Sequence, residues 1–126
     1  MEHKVIKIDT NGNVTVQSFA EPLYQTMGAD LDGLIEHVQP MRLPPPYCMI
    51  VDDEGLLKQL PINQIGCYLY QTDRHGHPIV GDIYIMRDTY DNFVGLTDDD
   101  IACLLTIFEQ FKDFLYGGAV DAVDHA

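Results

Sequence analysis

An Asn-Gly dipeptide between two short β-rich runs constrains the fold of this chain more than any other local feature. The runs are KVIKI at 4–8 and VTVQSF at 14–19, and Asn11-Gly12 lies between them. Asn-Gly in this setting is a strong signal for a β-hairpin, because both residues tolerate the backbone conformations of tight turns. We therefore expect the chain to begin with an antiparallel pair of strands.

Three further segments have the composition of strands. Residues 33–39 alternate in part between apolar and polar side chains and end at a proline. The run YCMIV at 47–51 is continuously apolar, which fits a strand buried on both faces. Residues 79–87 place isoleucines on one face and Tyr84 and Met86 on the other, and the glycine within this run is typical of a bulge.

The segment Thr97-Asp98-Asp99-Asp100 predicts the start of a long helix. Threonine caps free backbone amides, and the aspartates lie where the helix dipole is positive. The apolar residues that follow with helical spacing are Ile101, Leu104, Leu105, Phe108, Phe111 and Leu115, and the helix is predicted to end near Tyr116. Ile107 and Phe114 make this stripe wider than one small sheet covers, so we expect a homodimer that buries the excess.

Two short helices are expected elsewhere, one from Pro22 to a stop at Gly28 and one over residues 62–70. The TDRHGHP segment between the second helix and the last strand reads as a polar loop. Together these elements predict an α+β fold. Its small, mostly antiparallel sheet opens with a β-hairpin and is covered by the long C-terminal helix and one or two short helices.

The length of 126 residues predicts one domain over 1–118 and a disordered tail over 119–126. No apolar run approaches the roughly 18 residues of a membrane span, and the N-terminus lacks the apolar core of a signal peptide. We therefore expect a soluble, cytoplasmic protein.

Twenty acidic residues against seven basic ones give a net charge of -13. Such a charge repels nucleic acid and anionic membranes, so direct binding to either is not expected. The candidate acidic surface comprises two clusters, Asp52-Asp53-Glu54 and Asp98-Asp99-Asp100. Two interpretations stay open: the charge only keeps the domain soluble, or it imitates a polyanion.

The stretch VDDEGLLKQLPIN, residues 51–63, raises the question of a metal loop. Calcium loops space their oxygen ligands at alternate residues, whereas the carboxylates here are adjacent. A tight turn with Gly55 at a position of positive φ accounts for the same residues without an ion. We therefore interpret the stretch as structural.

A second candidate site combines basic, imidazole and aromatic side chains. The residues considered for ligand binding are Arg74, His75, His77, Tyr84 and Arg87. The two histidines lie two residues apart, but no third ligand of a zinc or nickel site is visible, so neither metal nor cofactor is expected. Cysteines 48, 67 and 103 form no Cys-x-x-Cys pair, and reduced, buried thiols are the favoured interpretation.

The sequence resembles a family catalogued as domain of unknown function DUF3846. The resemblance rests on LYQTMGADLDGLIEHV, CMIVDDEGLLKQLPIN, IVGDIYIM and FVGLTDDDIACLLTIF, which cover most of residues 20–108, and Asp-Glu-Gly-x-x-x-x-Leu-Pro-x-Asn is its most specific part. It implies association with bacterial mobile elements such as phages and plasmids but no assigned reaction. The TDRHGH loop and the long C-terminal helix depart from the shorter family pattern.

No nucleophile elbow or phosphate-cradling loop is present, so the sequence favours a binding protein over an enzyme. We expect a small acidic inhibitory protein that occupies a basic groove on a host protein by matching its potential. Two alternatives stay open. One is a protein that sequesters a nucleotide signal in a pocket with aromatic stacking and a few basic residues, of which Arg74 and Arg87 are the nearest candidates. The other is a small-molecule enzyme.

Overall fold

The fold is built on an antiparallel sheet, seen in a computed structural model that describes residues 2–20, 23–31, 33–43, 46–88 and 93–117. Its strands are β1 (Glu2–Ile8), β2 (Val14–Ala20), β3 (Ile35–Val38), β4 (Tyr47–Asp52), β5 (Ile83–Asp88) and β6 (Phe93–Val94). The order across the sheet is β2-β1-β5-β4-β3, and β6 pairs with the end of β5.

Four helices accompany the sheet in the described ranges: α1 (Leu23–Leu31), α2 (Gln64–Tyr70), α3 (Thr72–His75) and α4 (Asp98–Lys112). A π-helical turn over Asp113–Gly117 extends α4. The predicted α+β fold is confirmed, with a long C-terminal helix and short helices around an antiparallel sheet. The predicted tail, and with it the boundary at residue 118, lies outside the described residues. No helix in those ranges is long and apolar enough to cross a membrane.

The hairpin forms where the Asn-Gly signal placed it. The carboxylate of Asp9 accepts hydrogen bonds from the backbone amides of Asn11 and Asn13, each at 2.9 Å. Gly12 adopts a φ of 86°, which an L side chain rarely tolerates. The turn therefore begins at Asp9 and is closed by Gly12, and the two strands pair in full register from Ile8↔Val14 to Glu2↔Ala20.

The core lies on both faces of the sheet because the central strands alternate across it. Ile83 and Ile85 are fully buried on the face that α2 and α4 cover, whereas Tyr84 and Met86 are fully buried on the opposite face with Met27 of α1. Strand β4 is likewise buried on both sides. Its continuously apolar sequence predicted this arrangement.

Helix α4 begins with the predicted cap and covers the larger core cluster. Thr97 Oγ1 accepts from the Asp100 amide at 3.1 Å, and the Asp100 carboxylate accepts from the Thr97 amide at 2.9 Å. Leu104 and Phe108 are fully buried, Ile107 is half-buried against the core, and Phe114 is 72% exposed. The homodimer expected from Ile107 and Phe114 remains a prediction.

Several predicted boundaries were wrong for identifiable reasons. Helix α1 continues past Gly28 to Leu31, and this glycine instead allows close approach, since a Cβ there would lie 2.9 Å from the Gly33 carbonyl oxygen. Strand β5 begins at Ile83 because Gly81, with a φ of 77°, turns the chain just before it. The predicted polar loop contains the one-turn helix α3, and β6 was not predicted.

Asn63 connects three elements through one buried side chain. Its amide nitrogen donates to the carbonyl oxygens of Ile8 at 3.0 Å and Gly81 at 2.9 Å. Its amide oxygen caps α2 by accepting from the Gly66 amide at 2.9 Å. Helix α2 consequently starts at Gln64, and Ile62 lies before it, in an isolated bridge to Val80.

Replacing Phe108 with alanine should lower the free energy of unfolding by about 3–5 kcal/mol, because a fully buried ring leaves a cavity. The matched control is Phe114→Ala, in the π-helical turn that extends α4. This substitution should leave the free energy of unfolding nearly unchanged, because the Phe114 ring is largely exposed. Urea unfolding monitored by circular dichroism measures both. Equal losses for the two variants would contradict the assignment of Phe108 to the core.

Asn63→Ala should destabilise the fold by about 2–4 kcal/mol, since a lost cap costs about 1 kcal/mol and buried carbonyl groups left without a donor cost about 1–3 kcal/mol. Gln64→Ala, at the exposed neighbouring position, is the control. Urea unfolding of both variants tests this directly. An Asn63→Ala midpoint within error of the Gln64→Ala midpoint would show that the connection is dispensable.

Candidate functional site

The residues considered for ligand binding whose side chains the structure describes, Tyr84, Arg87, Arg74 and His77, do not converge on one site. Tyr84 is fully buried on the face of β5 that α1 covers. Arg87 lies on the opposite face of β5, where its guanidinium forms an ion pair with the Asp100 carboxylate at 3.3 Å. Arg74 and His77 are exposed in and just after α3. The side chain of His75 lies outside the described part of the chain. Among the four whose side chains the structure describes, Tyr84 and Arg87 lie on opposite faces of β5, and a ligand-binding role for the set remains a prediction.

The two acidic clusters are each divided between buried and exposed carboxylates. Asp52 is buried and pairs with Lys58 Nζ at 2.7 Å, while its other oxygen accepts from the Glu54 amide at 2.8 Å. Asp100 is buried in the capping box of α4. The prediction that both belong to an acidic surface is corrected, because both carboxylates are buried and hydrogen-bonded within the fold. The exposed acidic residues of the two clusters are Asp53, Asp98 and Asp99, with Glu54 half-exposed.

Asp100 is held by a polar network between α4 and the sheet. The Tyr47 hydroxyl donates to its carboxylate at 2.7 Å, and the Arg87 guanidinium lies 3.3 Å from it. Burial raises the pKa of Asp100, but hydrogen bonds from Thr97 and Tyr47 and the charge of Arg87 outweigh it, so the pKa is lowered overall. Burial and the bond to Asp100 raise the pKa of Tyr47 to about 12.

The acidic turn after β4 is shaped by close packing around Gly55. The predicted positive φ at Gly55 is wrong, because the positive φ in this segment, 57°, falls on Gln59. Glycine is required at 55 because a Cβ would lie 2.7 Å from Cγ2 of Val80. The turn is thereby pressed against the segment that precedes β5, which brings the acidic stretch beside His77 and its neighbours.

A groove of about 260 Å³ lies between this turn, strand β3 and the segment 77–80. Its apolar lining comes from Val38, Val51, Leu56, Ile79 and Val80. Its polar lining comes from Glu36, Asp52, Asp53 and His77. We call this the acidic groove. It combines one residue of the predicted ligand set, His77, with two of the predicted acidic set.

The acidic groove carries negative charge that the described residues do not neutralise. Asp52 is paired with Lys58, but Glu36 and Asp53 are exposed and form no ion pair within the described ranges. Among the described residues, no lysine or arginine lines the groove. Four basic side chains are engaged elsewhere: Lys4 with Asp98, Lys7 with Asp30, Arg42 over the Tyr68 ring, and Arg87 with Asp100.

Exposed apolar side chains accompany these carboxylates. Leu56 on the groove wall is 52% exposed, its neighbour Leu57 is 82% exposed, and Ile62, which bridges to Val80, is 57% exposed. Leu34 is also exposed, and its carbonyl accepts from the Asp53 amide at 2.9 Å. Exposed apolar groups concentrated around a cleft are typical of an interaction site. We call these four residues the apolar rim.

Other reactive groups are not gathered into a site. Cys48 is buried, and burial raises the pKa of its thiol to about 12. Cys67 is half-buried, and its sulfur accepts from the Ile79 amide at 3.3 Å. Cys103 is exposed, which corrects the prediction of three buried thiols. Among the described residues, no group of three or more His, Cys, Asp or Glu side chains could hold a metal ion.

The sheet, its helices and the acidic groove define a small α+β protein with a carboxylate-lined surface cleft. A family model described as a domain of unknown function (DUF3846) matches residues 1–112, and the chain belongs to this family. No curated protein and no solved structure matches the chain.

Glu36 and the apolar rim were not among the predicted site residues. The sequence signal that points to them is the apolar pair Leu56-Leu57 directly after an acidic turn. Two adjacent leucines are unusual in a solvent-exposed turn and indicate that another surface covers them. Glu36 joins the groove through β3–β4 pairing, which sets it opposite Val51. No pattern local to residues 33–39 contains that information.

Asp100→Asn should lower stability at neutral pH, and the difference from the parent should shrink as the pH falls. Because folding lowers the pKa of Asp100 from its ordinary value near 3.8, its contribution is present above that value and lost as pH falls through the folded pKa. Urea unfolding between neutral and strongly acidic pH measures the difference. A difference that stays constant across this range would contradict the ionised network.

Proposed function

We propose that this chain is a protein-binding module whose acidic groove receives a basic, partly apolar segment of another protein. The observation that carries the proposal is the presence of two carboxylates without a described counter-ion, Glu36 and Asp53, on a cleft with apolar walls. A lysine or arginine side chain matches both features, because its charged head meets the carboxylates while its aliphatic stem lies on apolar surface.

The apolar rim supports a protein partner rather than a free cation. Leu56, Leu57 and Ile62 expose apolar surface next to the groove, and a small ion leaves that surface in water. A peptide segment with alternating or adjacent basic and apolar residues covers it. The net charge of -13 adds long-range attraction toward a basic partner, which raises the association rate more than the affinity.

The same geometry weighs against sequestration of a nucleotide signal. Phosphate binding calls for cationic or backbone N–H donors, and the described lining of the groove contains no lysine or arginine. Of the two candidate arginines, Arg87 is paired with Asp100, and Tyr84, the aromatic residue of the predicted ligand set, is fully buried. The inhibitory role, the basic host protein as target, the mobile-element context and the cytoplasmic location remain parts of the proposal.

A fluorescein-labelled peptide of alternating arginine and leucine tests the groove by fluorescence anisotropy. We expect Glu36→Lys and Asp53→Lys each to weaken binding by roughly tenfold, because an exposed pair contributes up to about 1 kcal/mol and the substitution adds repulsion. Glu109→Lys, an exposed site on α4, carries the same charge change and serves as the control. Rising salt should weaken parent binding.

Three results would contradict the proposal. Equal losses for Glu109→Lys and Glu36→Lys would show that net charge alone attracts the peptide. Equal affinity for a peptide of alternating glutamate and leucine would show that only the apolar rim binds. A thermal shift with adenosine triphosphate, without binding of the basic peptide, would favour the nucleotide alternative.

A further inference from the structure

The two outer strands of the sheet differ in a way that matters for association. Strand β3 has four residues and carries Glu36 and His37. Strand β2, at the opposite edge, has seven residues, VTVQSFA, and none of them is charged or proline. Edge strands commonly avoid pairing with other chains by being short, charged or interrupted by proline. Strand β3 has the first two of these protections, and β2 has none.

The register of the hairpin shows which backbone groups of β2 face outward. The Asp9 amide donates to the Asn13 carbonyl oxygen at 3.0 Å, so Asp9 and Asn13 form a hydrogen-bonded pair. Such pairs alternate along an antiparallel ladder, which makes Lys7↔Thr15 and Val5↔Gln17 the next ones. The amides and carbonyls of Val14, Val16 and Ser18 therefore point away from β1. Within the described ranges, β2 pairs with β1 alone.

We propose that the outer edge of β2 pairs antiparallel with β2 of a second copy of this chain. The pairing consistent with the outward groups places the twofold axis at Val16, so that Val16 meets Val16 of the second copy. Val14 then meets Ser18 of the second copy, and the symmetric pair forms on the other side of the axis. The sheet becomes continuous through both copies.

The charge and exposure of the β2 side chains indicate that the outer edge of β2 pairs with a second copy of this chain. A basic segment has nothing to recognise here, because all seven side chains of β2 are neutral. Two chains with a net charge of -13 repel each other, yet this register brings together only uncharged residues. Val16 is 42% exposed, and the proposed pairing places it beside Val16 of the second copy on the same face of the sheet. An isologous contact requires this self-complementarity.

Sedimentation velocity over a concentration series, from micromolar to millimolar, tests the proposal on the full chain. We expect the parent to dimerise reversibly and Val16→Lys to remain monomeric, because two lysines would face each other across the axis. Phe114→Lys introduces a lysine at the exposed aromatic ring of the C-terminal helical segment and should dimerise like the parent. Circular dichroism melting confirms that each variant folds. A monomeric parent, or a Val16→Lys variant that still dimerises, overturns the proposal.

If both lysine variants are monomeric, disulfide cross-linking distinguishes a dimer formed through β2 from one formed through the C-terminal helix. In a Cys103→Ser background, which removes the exposed native thiol, Val16→Cys should form a disulfide-linked dimer under mild oxidation. The Cα atoms of a hydrogen-bonded antiparallel pair lie about 5.5 Å apart, within the range that a disulfide spans. Phe114→Cys in the same background is the control. Faster cross-linking of the Phe114→Cys variant would assign the dimer to the helix instead and overturn pairing through β2.

Discussion

The buried amide of Asn63 is the interaction on which the placement of the groove depends. It ties the end of β1, the turn at Gly81 and the start of α2 together with three hydrogen bonds. A buried amide that satisfies both its donor and its acceptor in this way rigidifies its surroundings, whereas a half-satisfied one would destabilise them. The backbone amide of Asn63 also donates to the Ile79 carbonyl oxygen at 2.9 Å, so the segment before β5 is held against α2.

Close packing at two glycines also holds the segment before β5 in place. A Cβ at Gly66 would lie 2.7 Å from Cγ2 of Ile79, so only glycine lets α2 approach this segment so closely. On the other side of the segment, Gly55 allows the acidic turn to touch Val80. Two sides of the acidic groove, the turn after β4 and the segment 77–80, are therefore held in place by close packing at glycines.

The parts of this fold that could be predicted are those encoded locally. The hairpin, the continuously apolar β4 and the capping box at Thr97 follow from patterns within a few residues. The groove could not be predicted, because it joins β3 to the segment 77–80, and their contact depends on tertiary packing that no short window contains. The burial of Asp52 and Asp100 escaped prediction for a similar reason. Counting carboxylates gives a net charge, but Lys58, Tyr47 and Arg87 decide which carboxylates face water.

The acidic groove and the outer edge of β2 lie at opposite ends of the strand order β2-β1-β5-β4-β3. A dimer joined through β2 would therefore leave both grooves open, one at each far end of the combined sheet. A partner that presents two basic segments at a matching separation would bind such a dimer more tightly than either groove binds alone, by a factor on the order of 10²–10⁴. A partner with one segment would gain nothing. Avidity of this kind links the two proposals physically, because it needs both an intact β2 edge and intact Glu36 and Asp53 carboxylates.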